Sequence, residues 1–196
     1  MAVTAAERRA AAQAKASAFA RILPRISVLS GSVVVVAATR PFLDDDAAGE
    51  AFAQDLVFLR CTGIRPVVVQ DAEPVAGEPA TGSGGRGASP GPDRRLLTLL
   101  TAQAPLGVGI TSDPDDAAAD VALVRTLLDD GRIPVLTAVA RDAVETARLL
   151  AEQLRARHLA LPVGHSAATL AIRPTEPHSL LRELYELDAA GSVDAD

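Results

Sequence analysis

The chain has 196 residues, of which 48% are hydrophobic and 22% charged, a composition typical of a globular protein. Its net charge of -6, with no Trp and one Tyr, disfavours nucleic-acid binding, because phosphates are held by local positive charge and bases by aromatic rings. No apolar run reaches the about 20 residues that a membrane span needs. Residues 1–20 also lack an apolar signal region, so we expect a cytoplasmic protein without membrane or nucleic-acid partners.

The first part of the chain predicts a helix followed by a strand, a helix and a strand. Residues 4–23 are alanine-rich and favour a helix that Pro24 ends. Residues 32–38 form a continuous apolar run, which is typical of a buried strand. The run Asp44–Asp46 can cap the next helix, and residues 64–69 predict the second strand. Two apolar strands joined by a helix indicate a parallel pair.

The rest of the chain repeats this alternation after a segment rich in Gly, Ser and Pro at 75–92, which we interpret as a flexible linker. Helices are predicted at 93–103, 115–130, 143–156 and 177–187, and strands at 106–111, 133–139, 158–163 and 169–172. The order predicts an α/β fold, a three-layer αβα sandwich with a mostly parallel open sheet. We expect one domain over residues 25–196, preceded by an N-terminal helix at 1–24.

Common catalytic and metal motifs are missing from the loops where a parallel α/β protein binds its ligand. Residues 37–42 and 70–74 follow the first two strands and contain no glycine that would let backbone N–H groups approach a phosphate. The glycine-rich stretch 82–91 lacks the lysine of a P-loop and does not follow a strand. A single cysteine, Cys61, and three histidines at no ligand spacing predict no metal site, and Cys61 is interpreted as a packing thiol.

Residues 20–74 resemble the N-terminal part of the N-acetyl-L-glutamate kinases of the amino-acid kinase family. In that family a helix ending in L-P leads into a V-V-V-K-Y-G-G strand, an A-F-A-x-D helix and then G-I-x-P-V-V-V-H-G-G-G-P. Residues 123–139, 151–161 and 177–192 resemble later segments of the same family. The resemblance implies an amino-acid-kinase-like fold, and the few residues that follow 163 imply a reduced nucleotide lobe.

The departures from the family pattern fall on its chemistry. The resemblance places Ala37 where the family has the lysine that contacts the transferred phosphate, and Thr39 and Arg40 where it has two glycines. Val144 stands where the family has an aspartate that organises the active site. The single lysine, Lys15, lies in the first predicted helix and cannot replace the lost one.

Other polar residues remain candidates for ligand binding at the same strand ends. The H-G-G-G-P loop is replaced by Gln70-Asp71-Ala72-Glu73-Pro74, and Asp142 stands where the family has an asparagine. We therefore expect Arg40, Gln70, Asp71 and Asp142 to contact a ligand, although a carboxylate such as Asp71 in a polar loop is also explained by solvation alone. The resemblance also places Glu183, Gly191 and Ser192 at the arginine-effector positions of the family, although Glu183 is explained as well by a plain exposed carboxylate on a helix.

These features predict a catalytically inactive acetylglutamate-kinase-like protein that acts as a binding, regulatory or accessory subunit linked to arginine or amino-acid metabolism, with no cofactor. The alternative is an altered or partner-dependent amino-acid kinase that uses ATP and Mg²⁺ to phosphorylate N-acetylglutamate or a related carboxylate. We expect a homo-oligomer, or a hetero-oligomer with an active paralogue. The N-terminal helix and the helix at 47–60, with Phe52, Val57 and Phe58, are the predicted contact surfaces.

Overall fold

The computed structural model describes residues 8–9, 12–13, 16–17, 20, 24, 26–40, 44–72, 94–112, 117–139, 141–165, 170–173 and 176–190. Strands and helices alternate through them in the order β1 (Val33–Ala38), α1 (Asp46–Cys61), β2 (Arg65–Asp71), α2 (Arg94–Gln103), β3 (Gly107–Thr111), α3 (Ala117–Asp129), β4 (Ile133–Ala138), α4 (Ala143–Leu154), β5 (His158–Pro162), β6 (Leu170–Ile172) and α5 (Ser179–Ala190). The predicted linker at 75–92, together with Gly191 and Ser192, lies outside the described residues.

The six strands form one open sheet in the order β3-β4-β2-β1-β5-β6, and every neighbouring pair is parallel. Helices α1, α2 and α5 pack on one face, and helices α3 and α4 pack on the other. The predicted three-layer α/β architecture is therefore confirmed, with a described sheet that is fully parallel rather than mostly so.

Two apolar clusters fill the space between the sheet and its helices. Along β1, Val34 and Val36 face the cluster under α1, whereas Val35 and Ala37 face the cluster under α4. All four side chains are fully buried. This explains why β1 is a continuous apolar run instead of an alternating one, since both faces of its strand are covered.

The connections that follow β2 and β4 leave the sheet toward opposite faces. After β2 the chain leads to α2 on one face of the sheet, whereas after β4 it leads to α4 on the opposite face. Connections that leave neighbouring parallel strands toward opposite faces open a crevice at the carboxyl ends of those strands. The fold therefore places its candidate site between the last residues of β2 and β4.

Four details differ from the sequence prediction. Pro24 is itself helical, and residues 26–29 beyond it are helical as well. Strand β2 continues through Asp71 instead of ending at residue 69. Cys61 is exposed at the end of α1 and does not pack in the core. Phe52 is buried against the sheet and is thus not part of a free surface.

Candidate functional site

The floor of the crevice is a hydrogen bond between the side chains of two neighbouring strands. Gln70 of β2 lies opposite Thr137 of β4, and its Nε2 donates to Thr137 Oγ1 at 3.1 Å. Both residues are 0% exposed. Gln70 was predicted to contact a ligand, and the structure places it beneath the strand ends, where it joins β2 to β4.

The N-terminus of α4 forms one wall of the crevice and carries two carboxylates. Asp142 is the N-cap, and its Oδ1 accepts from Glu145 N at 2.7 Å. Asp71, the last residue of β2, accepts from Ala143 N through Oδ1 at 2.9 Å. Both contacts satisfy N–H groups that the helix itself leaves unpaired, and both place negative charge at the positive end of the helix dipole.

The two capping carboxylates determine whether an anionic ligand can bind at the N-terminus of α4. A phosphate at a helix N-terminus needs free backbone N–H groups and a favourable dipole. Here the N–H groups of Ala143 and Glu145 are already bound, and the two carboxylates would repel an anion. The predicted candidates Asp71 and Asp142 thus lie at the same helix end and both act there as caps.

Arg40 provides positive charge beside this wall. It follows β1, is half-buried, and its Nη2 donates to Ala72 O, just after β2, at 3.4 Å. The guanidinium retains further N–H donors, because it carries five in all. A planar group of this kind suits a carboxylate, which can accept two parallel hydrogen bonds.

Ala37 and Val144, at the positions where the resembling family has a lysine and an aspartate, lie inside the protein. Ala37 is 0% exposed and Val144 is 8% exposed. Both belong to the apolar cluster between the sheet and α4. Thr39 is half-buried directly after β1.

The predicted effector residue Glu183 lies on α5, at the other side of the sheet from α4. It is half-buried, and its Oε1 accepts from Arg182 Nη2 at 3.4 Å. The structure therefore does not bring Glu183 together with the residues of the crevice.

A second polar cluster, which the sequence analysis missed, joins α1 to α5. Asp55 is 1% exposed, and its Oδ1 lies 2.6 Å from His178 Nδ1. Burial raises the pKa of Asp55, and the hydrogen bond and charge of His178 oppose that rise. A signal was present in the sequence, since Asp55 follows Phe52 by three positions and precedes Leu59 by four, on the apolar face of α1.

Among the described residues, no group of three or more His, Cys, Asp or Glu side chains is placed to hold a metal ion. None of the described helices is long and apolar enough to cross a membrane.

Comparison with known proteins finds acetylglutamate kinases among the relatives of this chain. The acetylglutamate kinase of Mycobacterium sp. strain JLS is 33% identical over 178 residues, covering 68% of this chain and 61% of that protein. The acetylglutamate kinase of Mycolicibacterium vanbaalenii is 31% identical over 198 residues, covering 74% of this chain and 68% of that protein. No family model matches the chain. A solved N-acetylglutamate synthase from Neisseria gonorrhoeae, complexed with coenzyme A and L-arginine, matches with 18% identity and a TM-score of 0.49, covering 78% of this chain and 49% of that one.

The fold and the crevice define a parallel α/β protein whose candidate site lies at the carboxyl edge of its sheet. Because the chain is 31% identical to the acetylglutamate kinase of Mycolicibacterium vanbaalenii and covers 68% of that protein, it belongs to the acetylglutamate kinase family. It spans 61% and 59% of the length of the first two relatives that it matches.

Proposed function

We propose that this chain is a cytoplasmic acetylglutamate-kinase-like protein that binds a small amino-acid ligand without transferring a phosphoryl group. In this proposal it serves as a regulatory or accessory subunit linked to arginine or amino-acid metabolism. The observation that carries the proposal is Ala37, a methyl group enclosed in the apolar cluster at the position where the family has its phosphate-contacting lysine.

Phosphoryl transfer depends mainly on positioning and on cations around the phosphoryl oxygens, and loss of one such stabilising group costs about 3–4 kcal/mol of barrier. Ala37 supplies no charge, and Asp71 and Asp142 occupy the N-terminus of α4. The site accordingly suits a ligand whose carboxylate binds Arg40 better than it suits a nucleoside triphosphate.

The absence of turnover is tested with a coupled assay containing ATP, Mg²⁺ and N-acetylglutamate. We expect a rate at background, because the phosphoryl group meets carboxylates where it needs cations. The comparison variant is Asp142→Ala, which removes the carboxylate from the crevice. Turnover above background that this variant loses would assign catalysis to the crevice and overturn the proposal.

Ligand binding is tested by calorimetric titration with N-acetylglutamate and with L-arginine. Arg40→Gln removes the guanidinium without disturbing the core, and we expect it to weaken binding of the carboxylate ligand by at least tenfold, about 1.4 kcal/mol. Arg94→Gln, an exposed arginine on α2, is the matched control and should bind like the unaltered protein. Equal affinities for all three proteins would exclude Arg40 from the ligand site.

A further inference from the structure

The crevice carries charges of both signs that do not neutralise each other. Arg40 reaches from the end of β1 to the carbonyl of Ala72, the residue directly after Asp71. Asp71 and Asp142 lie together at the N-terminus of α4. Within the described part of the chain, no ion pair joins Arg40 to either carboxylate. The crevice therefore offers a ligand one cation and two anions.

Neighbouring charged side chains are already matched with one another. Arg141, which precedes Asp142 in the chain, pairs with Glu145 at 3.5 Å. Arg95 of α2 pairs with Asp46 in the first turn of α1. These two arginines are thus engaged by other carboxylates, and the charge of the two caps of α4 is left for a ligand to balance.

The N-terminus of α4 is negative in spite of the helix dipole. A helix start carries about +0.5 elementary charge, whereas its two capping carboxylates carry one negative charge each, so this end stays negative by about 1.5 elementary charges. Asp71 and Asp142 each use Oδ1 for a backbone N–H of the helix. A carboxylate has two acceptor oxygens, so Oδ2 of each residue is left to accept from a ligand.

An amino acid with a free amine carries both matching charges on one carbon atom. Its carboxylate accepts the parallel hydrogen bonds of a guanidinium, and its ammonium group has three N–H donors for carboxylate oxygens. Arg40 and Asp71 belong to the ends of the neighbouring strands β1 and β2, so one small ligand can contact both. Acetylation of the amine removes its charge and leaves one N–H donor.

We propose that the ligand of this crevice is an amino acid whose α-amino group is free and protonated. Its carboxylate binds Arg40, and its ammonium group binds Asp71 and Asp142. The assignment rests on the proposed function and names the class of ligand for that same site. The acetylglutamate kinases that this chain matches are named for an acetylated amino acid, whose uncharged amide would leave the two carboxylates unbalanced.

Calorimetric titration with matched ligands tests the proposal on the unaltered protein. L-glutamate, N-acetyl-L-glutamate and glutarate share two carboxylates and differ at the amine. We expect L-glutamate to bind at least about tenfold more tightly than the other two, because a hydrogen bond between charged groups contributes that much. The same preference is expected for L-arginine over Nα-acetyl-L-arginine. Glutarate is no bulkier than L-glutamate, so its weak binding would exclude a steric effect of the acetyl group.

The outcomes separate this assignment from the proposed function. If N-acetyl-L-glutamate or glutarate binds as tightly as L-glutamate, or more tightly, the free amine is not recognised, and the proposed function still stands. If none of these compounds binds, both proposals are overturned.

Two substitutions locate the preference on the carboxylates. Asp71→Asn and Asp142→Asn remove the charge and keep an oxygen for the helix N–H. We expect each to reduce the preference for the free amine and the double variant to abolish it, without weaker binding of the acetylated ligand. Arg40→Gln should instead weaken both forms equally, since both carry the carboxylate. Glu152→Gln, at an exposed carboxylate of α4, is the control and should keep the full preference. A preference that survives in the double variant would overturn the assignment.

Discussion

Two glycines at the amino end of the sheet show how a single Cβ decides local stability. Gly31 N donates to Gly63 O at 2.8 Å, and the two residues have φ values of +80° and +86°. A Cβ at Gly63 would lie 2.5 Å from Ser30 Oγ, whereas a Cβ at Gly31 would meet nothing within 4 Å. A substitution at either position therefore forces a residue with a Cβ into the left-handed region, and the two positions differ in the space that is free for that Cβ.

We expect Gly31→Ala to lower the free energy of unfolding by about 1–2 kcal/mol, the cost of a left-handed backbone for a residue with a Cβ. Gly63→Ala should lower it further, because the Ser30 hydroxyl must move. Adding Ser30→Ala to Gly63→Ala should recover that excess. Urea denaturation of the three variants measures the differences, and equal losses for the two single glycine variants would contradict the steric argument.

The pKa of Asp55 predicts a pH dependence of stability. Burial raises that pKa above its ordinary value of 3.8, so the folded chain binds the proton more tightly than the unfolded chain does. The contribution of this group to stability is then fully present below 3.8 and is lost as pH rises through the raised pKa. Asp55→Asn removes the titration and keeps an oxygen for Leu181 N. We expect the unfolding free energy of the variant, relative to the unaltered protein, to increase from about pH 4 to 7 in urea titrations, and a decrease would refute the assignment.

At the scale of helices and strands, the sequence predicted the features that neighbouring residues determine, such as the start and the end of α1. Helix α1 begins after Asp45, whose Oδ1 accepts from Ala48 N at 2.8 Å, and ends before Gly63, as the sequence indicated. The end of β2 was missed because Gln70 and Asp71 are polar. Gln70 pairs with Ala38 of β1 as well as with Thr137 of β4, whereas Asp71 pairs with Ala138 of β4, so the pairing that extends β2 to Asp71 comes from a strand far along the chain.

For the candidate site, too, the sequence predicted which residues gather and not the contacts that they make. Since polar residues after parallel strands gather at one edge, the sequence placed Asp71 and Asp142 near each other. It could not show that both carboxylates bind N–H groups of α4, because that depends on how α4 crosses the ends of β2 and β4. Nor could it reveal the contact between Asp55 and His178, which are 123 positions apart.

The two caps of α4 give a prediction for this element. We expect Asp142→Ala and Asp71→Ala each to lower the unfolding free energy by about 1 kcal/mol, because each leaves a helix N–H without its acceptor. Asn at either position should recover most of the loss. Glu152→Ala, an exposed carboxylate in the same helix, is the control and should stay within about 0.5 kcal/mol of the unaltered protein in thermal or urea unfolding. Losses no larger than that of the control would remove the capping role.

At the scale of the molecule, the structure narrows where self-association can occur. Phe52 faces the core between α1 and the sheet, and Val57 packs against the same cluster. These two side chains of α1 thus pack within their own chain, so α1 offers a partner less apolar surface than its sequence suggested. The described residues between 8 and 24 are helical and exposed.

The remaining prediction is association through the N-terminal helix. Phe19, Ile22 and Leu23 give this segment an apolar stripe, and closed two-fold symmetry is the commonest way for identical chains to bury such a surface. We expect light scattering to give a mass above the 20.2 kDa of one chain for the full-length protein, and the monomer mass after removal of residues 1–23. Replacing the three stripe residues by serine should have the same effect as removal, whereas replacing Ala11 and Ala14 by serine, as a control for helix propensity, should leave the mass unchanged. A chain of 196 residues that is monomeric at micromolar concentration would end the hypothesis of association through this helix.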